Sequence, residues 1–326
     1  LVAIGIILFS QQPASLLPGA APAPALEPAP GGVYTEALVG QIGRLNPVLD
    51  YYNPTDRSIN RLIYSGLIRF DDRGQPQGDL VDAWGISKDG RVFTFSLRQN
   101  AVWHDGQPVT SEDVLFTIDL LRDENIPIPA DLREFWGQVE VFVIDEKNLQ
   151  FRLPEPFAPF LDYLTFGLLP VHIWEGVSPE ALPDSQLSLA PIGSGPYKFD
   201  QLLIDDGQIQ GVQLSAFANY YRQQPYIDQI VFKLFPDSAS ALTAYQQGEV
   251  LGIGQIPFDL LLAALKERDL AVYTGRQPRL GLIYLNLDQP TLPFFQDADL
   301  RRALLMGLNR QRMIDRLLGS QAVLAD

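Results

Sequence analysis

Gln75-Pro-Gln-Gly-Asp-Leu-Val-Asp-Ala-Trp84, Ser87-Lys-Asp-Gly-Arg-Val-Phe-Thr-Phe-Ser-Leu-Arg98 and Val102-Trp-His-Asp-Gly-Gln-Pro-Val-Thr-Ser-Glu-Asp-Val114 follow one another along one stretch of the chain. Asp89-Gly90 reads as a tight turn, because glycine takes φ > 0 without steric cost. Beyond it Phe93, Phe95 and Leu97 alternate with Val92, Thr94 and Ser96, the period of a strand with one buried face. Asp105-Gly106 makes a second turn. Thr110 with Asp113 three residues on predicts a capping box. The helix behind it carries Val114, Leu115, Ile118 and Leu121 on one face.

This ordered series of turn, strand, turn and capped helix resembles the family-five extracytoplasmic solute-binding proteins, the dipeptide- and oligopeptide-binding type that feeds ABC importers. The likeness continues outward on both sides. Leu45-Asn-Pro47 and Ile63-Tyr-Ser-Gly-Leu67 precede the stretch. Pro170-Val-His-Ile-Trp174, Gly193-Ser-Gly-Pro-Tyr197, Pro225-Tyr-Ile-Asp-Gln-Ile-Val-Phe232, Gly248-Glu-Val-Leu-Gly-Ile253 and Leu300-Arg-Arg-Ala-Leu304 follow it. Two positions depart from the pattern. Leu251 stands where the family has Asp, and Asn309 replaces the usual helix-capping Asp.

Composition sets outer limits. The 326 residues exceed the usual length of one domain, and 46% hydrophobic with 19% charged residues suits a large core. The net charge of −15 argues against nucleic acid or an anionic membrane surface as the main partner. There are no cysteines, which removes disulfides, thiolate metal sites and a cysteine nucleophile from this chain.

Taken in order, residues 1–9 are an apolar run without charge, too short to span a bilayer, and read as the remnant of a signal or anchor. Residues 11–32 are rich in Pro and Ala and read as an extended spacer. Together, residues 1–32 predict an N-terminal membrane tether and linker. A strand is expected over 33–39, a helix over 56–67, short strands over 138–145 and 149–153, and an apolar helix-like run over 157–169. Ile230, Phe232 and Leu234 alternate as a strand, and Ser238 is placed as the cap of the next helix. His104 is assigned a turn hydrogen bond and His172 a packing role, since no carboxylate stands near it at ligand spacing. Gly193-Ser-Gly195 lacks the Gly-Lys-Ser/Thr of a phosphate loop.

The resemblance implies an α/β, type II periplasmic-binding-protein fold with two lobes around a cleft and a small inserted lobe. Residues 33–52 and 190–278 would form lobe one, residues 53–189 the inserted lobe, and residues 279–326 the start of a second lobe, incomplete in this chain. The implied function is capture of a peptide or similar small solute outside the cytoplasm and its delivery to ABC transporter permease subunits by a monomer. Neither cofactor nor metal is called for. The ligand-binding candidates are Tyr51, Tyr52 and Asn53 in the loop before the first helix, Gln255, and Tyr284 on an expected crossover strand over 280–286. Two other readings stay open: a ligand-sensing binding domain without transport, and a hydrolase. For the latter, Glu112 and Asp113 are adjacent, so their side chains diverge by about 100° on a helix and cannot flank one bond.

Overall fold

In the computed structural model, residues 28–273 are described, and from there to 324 all but 274, 276–280, 282, 289, 292, 320 and 321. The expected remnant at 1–9 and most of the spacer lie outside the described residues.

The chain opens with β1 (Val33–Val39), then α1 (Pro54–Ile63), and a short hairpin of β2 (Ile68–Phe70) with β3 (Pro76–Gly78). β4 (Val81–Ile86) and β5 (Val92–Leu97) precede α2 (Ser111–Arg122) and α3 (Ala130–Gln138). β6 (Glu140–Val143) and β7 (Asn148–Arg152) complete a four-stranded antiparallel sheet in the order β4-β5-β7-β6. After a 3₁₀ turn at Ala158–Leu164 and the short α4 (Val171–Trp174), β8 (Tyr197–Asp205) and β9 (Gln208–Ala216) form a long hairpin. β10 (Gln229–Phe235), α5 (Ser238–Gln246), β11 (Gly252–Ile253), α6 (Phe258–Ala264), α7 (Ala298–Gly307) and α8 (Arg310–Leu317) follow. The larger sheet runs β11-β1-β10-β9-β8. In it β1 is parallel to both β10 and β11, and the chain that leaves at Val39 rejoins the sheet at Tyr197.

The alternation in β5 works as expected: Phe93, Phe95 and Leu97 are buried and their neighbours half-buried. Phe93 and Phe95 pair with Phe151 and Leu149 of β7, and the Trp136 ring of α3 lies 6.5 Å from that of Phe151. Phe93 packs on Phe160 at 4.6 Å and Phe95 edge-on to Phe151 at 5.5 Å between ring centres. The Thr110–Asp113 box forms, with the Asp113 carboxylate accepting the Thr110 backbone N–H at 2.7 Å. Asp113 also accepts the Trp103 indole N–H and the Val171 N–H, so one buried carboxylate ties three segments together.

Several expectations shift. α1 starts at Pro54, because Asn53 caps it and Pro54 supplies a first-turn residue that needs no donor; it stops at Ile63 where Tyr64 turns extended. The 157–169 run is only a 3₁₀ turn over Ala158–Leu164, with Pro159 early in it. Residues 138–145 yield only Glu140–Val143 as strand. Asp237, one residue before Ser238, caps α5 by accepting the Ser240 N–H. Gly252–Ile253 alone is strand in the 248–253 segment. No strand occurs among the described residues of 280–286.

His104 bonds beyond its turn. Gly193 N–H donates to His104 Nδ1 at 3.2 Å, so Nε2 carries the proton and donates to the Gly195 carbonyl at 3.1 Å. Burial, assisted by Lys198, pushes this imidazole down to about 4. The two glycines are needed for close approach: a Cβ on Gly193 would lie 2.0 Å from the Ile63 carbonyl oxygen, and one on Gly195 2.4 Å from that of Leu62. His172 does have a carboxylate partner, with Nε2 2.7 Å from Asp105 Oδ2. The two residues are distant in sequence, which is why spacing did not reveal the pair.

Candidate functional site

The loop from Asp50 to Pro54 divides two hollows. Its geometry begins with α1. Asn53 Oδ1 accepts the Thr55 and Asp56 N–H groups, and its Nδ2 donates to the Gln41 carbonyl and to Asp56 Oδ2. Asp56 in turn accepts the Gly43 and Arg44 N–H groups, folding residues 41–44 onto the helix start. Burial holds the Asp56 carboxyl up to about 6, against those bonds. One turn along, Arg57 donates to the backbone carbonyls of Asp50 and Tyr51 and lies 5.6 Å from the Tyr51 ring centre. Tyr51 and Tyr52 meet edge-on at 5.0 Å. The Tyr51 ring is thereby fixed on a rim, about half exposed.

Behind that rim is a cleft of about 890 Å³. One wall is α1, with Arg57, Asn60 and Arg61; another is β2, with Arg69 and Phe70. Tyr163 of the 3₁₀ turn and Phe166 just after it supply aromatic surface, with the buried Trp136 of α3 behind them. Gly167 lets that segment approach, since a Cβ there would stand 2.6 Å from Tyr64 Cβ. Asp50, Asp79 and Asp162 complete the charged lining. Asp50 is raised by burial, opposed by its Asn60 bond and by Arg57 and Arg61. Asp79 is also raised by burial, opposed by the Tyr221 hydroxyl at 2.8 Å and by Arg222. A concave site with aromatic walls and a few fixed polar groups suits a small amphipathic solute.

The second hollow, about 560 Å³, lies at the carboxyl end of β1. Gly40, Asn53, Ser238, Gln255 and Pro257 line it, so it occupies the edge where open α/β sheets receive ligands.

The sequence candidates therefore separate. Tyr51 lines the larger cleft; Asn53 and Gln255 line the smaller hollow, and the Asn53 amide is already committed to capping. Tyr52 and Tyr284, 68% and 86% exposed, line neither. Sequence reasoning passed over Arg57, Arg61, Arg69, Trp136, Tyr163 and Phe166. Only the Phe135-Trp136 pair on a short helix offered a local signal, and that pattern is equally a core pattern. Among the described residues no group of three or more His, Asp or Glu is placed to hold a metal ion, and no helix is long and apolar enough to cross a membrane. His104 faces a buried seam and His172 is engaged by Asp105, so neither is set beside a nucleophile in the cleft.

Residues 75–326 match the model of the bacterial extracellular solute-binding proteins, family 5 Middle. A putative ABC transporter peptide-binding protein of Brucella ovis is 32% identical over 263 residues, which is 79% of this chain and 48% of that protein. The dipeptide-binding protein of Escherichia coli is 27% identical over 254 residues, 72% of this chain and 46% of its own length. The chain thus spans about half the length of the curated relatives it matches. Among solved structures, NikZ from Campylobacter jejuni in complex with Ni(L-His) superposes with a TM-score of 0.70 at 26% identity, covering 90% of this chain and 57% of that one. The oligopeptide-binding protein AppA from Bacillus subtilis, in complex with a nonapeptide, shares the fold with a TM-score of 0.71 at 23% identity, over 92% of this chain and 58% of its own.

Proposed function

The chain belongs to the bacterial extracellular solute-binding proteins of family 5, and from that premise we propose that it captures a peptide or similar small solute outside the cytoplasm and hands it to the permease of an ABC transporter. The observation that carries this reading is the 890 Å³ cleft, whose aromatic walls and guanidinium groups suit a short peptide's mixed surface. No covalent step is part of it: solute touches two lobes, favours the closed arrangement, and is released when the lobes part. Residues 33–52 and 190–278 act as lobe one, residues 53–189 as the inserted lobe, and residues 279–326 open the second lobe. Tyr51 is the aromatic rim of the site; Asn53 and Gln255 belong to the smaller hollow, and Tyr52 and Tyr284 line neither. The protein works as a monomer held to the outer face of the membrane by its N-terminal segment.

The test is uptake. Cells lacking the gene should lose most uptake of labelled dipeptides or short oligopeptides, and regain it when the gene is restored. Unchanged peptide uptake in the deletion strain, with the neighbouring permease intact, would contradict the proposal.

A further inference from the structure

Away from the cleft the chain makes three Asp-Gly turns, at Asp89-Gly90, Asp105-Gly106 and Asp206-Gly207. Two of them are closed by hydrogen bonds. Asp89 Oδ1 accepts the Ser87 hydroxyl and the Arg91 N–H, and the Gly90 N–H donates to the Ser87 carbonyl. Asp105 Oδ1 accepts the Gln107 N–H, its Oδ2 meets His172, and the Gly106 N–H donates to the Trp103 carbonyl. The tip of the β8–β9 hairpin is different. Asp206 and Gly207 are exposed, and among the described residues neither the Asp206 carboxyl nor the Gly207 N–H has a hydrogen-bond partner. Space beside Gly207 is open, with nothing within 4 Å of where a Cβ would stand. Asp206 is also the one non-glycine residue with positive φ among the described residues, at 47°.

We infer that Asp206-Gly207 is a modification site, where the folded protein converts aspartate to isoaspartate, and that the other two turns are protected by their hydrogen bonds. The Gly207 nitrogen attacks the carbon of the neutral Asp206 carboxyl group. A C–N bond forms, the C–O bond to the hydroxyl breaks, and the amide proton leaves with that hydroxyl as water. The five-membered imide then takes one water back. Opening at the main-chain carbonyl carbon leaves the chain running through the Asp206 side chain; opening at the side-chain carbon restores aspartate. Nothing is oxidised or reduced. Glycine favours the attack because no Cβ hinders its nitrogen. At the other turns both reacting groups must first leave their partners. Asp89 is moreover held below the usual carboxylate range, chiefly by the Ser87 hydroxyl, and an ionised carboxylate is a poor electrophile. At Asp206 the product adds one carbon to the backbone, which relieves a left-handed conformation that a non-glycine residue adopts only at a cost.

The test is incubation of the full-length protein in buffer of about pH 5, where an exposed carboxyl is partly neutral. Isoaspartate is then located by peptide mapping with electron-transfer fragmentation and totalled by enzymatic methylation with labelled S-adenosylmethionine. Isoaspartate at Asp206 should exceed that at Asp89 and at Asp105 by about tenfold or more, since each of those sites must first give up a carboxylate bond and an amide bond. In concentrated urea the three sites should react within about threefold of one another, because the hydrogen bonds that separate them belong to the fold. Asp206→Glu keeps the charge but would need a six-membered imide, and should lose most of the methylation signal of the folded protein. Ser87→Ala should raise isoaspartate at Asp89 and leave Asp206 unchanged. Absence of isoaspartate at Asp206, equal yields at the three sites of the folded protein, or a preference for Asp206 that persists in urea would overturn the inference.

Discussion

The antiparallel sheet of β4–β7 and the helices from Phe258 onward are both written in apolar periodicity, yet they end in different states. On the sheet, Phe95, Phe151, Phe160 and Trp136 are at most 1% exposed and lie against one another, with Phe151 and Phe160 at 5.4 Å. On α7 nothing is buried, and Leu305 and Met306 are 53% and 81% exposed; on α8 Ile314 alone is buried. Local capping is equally good in both places: Asp297 caps α7 and Asn309 caps α8, much as Thr110 and Asp113 begin α2. Hydrophobic spacing and caps specify a helix and the direction of its apolar face. They do not supply the surface that covers it, and most of a helix's stability in a protein comes from that surface.

The contrast can be broken most sharply by truncating one residue on each side. Phe160→Ala removes a ring that touches Phe93, Phe151 and Trp136, and should cost about 3–5 kcal/mol in chemical denaturation. A loss below about 1 kcal/mol would mean that the sheet's core is not packed as described.

An intermediate effect is expected at the seam where His104 meets Gly193 and Gly195. Its folded value of about 4 lies below the ordinary 6.5, so its contribution is complete above about pH 6.5 and is lost as pH falls towards 4. The unfolded chain takes up a proton there that the folded protein resists. The loss across that window is roughly 3 kcal/mol. Asp56 acts in the opposite sense: its value of about 6 lies above the usual 3.8, so its contribution is present below 3.8 and is lost as pH rises through 6. Comparison with His104→Gln isolates the first effect. The wild-type protein should lose more stability than the variant between pH 7 and pH 4, and parallel curves would contradict the buried neutral imidazole.

The smallest effect belongs to α7. Leu305→Ala, at a position more than half exposed, should change stability by no more than about 0.5 kcal/mol. A core-sized loss would show that this face is covered.

Legibility followed the same divide between local and distant causes. β5, the α2 cap, β1 and β10 were readable because alternation and capping are encoded within a few residues. The β8–β9 hairpin was equally readable and was overlooked: Asp206-Gly207 is a turn dipeptide, and both residues have positive φ, 47° and 74°. The 157–169 run misled because an apolar stretch of that length does not distinguish a helix from an irregular segment pinned by aromatic contacts. The cleft was the least legible part. Arg61, Arg69, Trp136 and Phe166 come from four segments, and only the tertiary fold brings them together. Tyr51 stands on the cleft rim in a loop whose aromatic and polar residues are legible in the sequence, whereas Asn53, in the same loop, serves the helix start.

The central claim is that solute occupies the cleft bounded by α1, β2, α3 and the segment around Phe166. It is tested most directly by a crystal structure of the full-length protein grown with alanyl-phenylalanine. The account predicts the dipeptide between α1 and the segment around Phe166, against the Tyr51 rim. A dipeptide seated instead at the carboxyl end of β1, against Gly40 and Gln255, with the larger cleft holding only water, would contradict it.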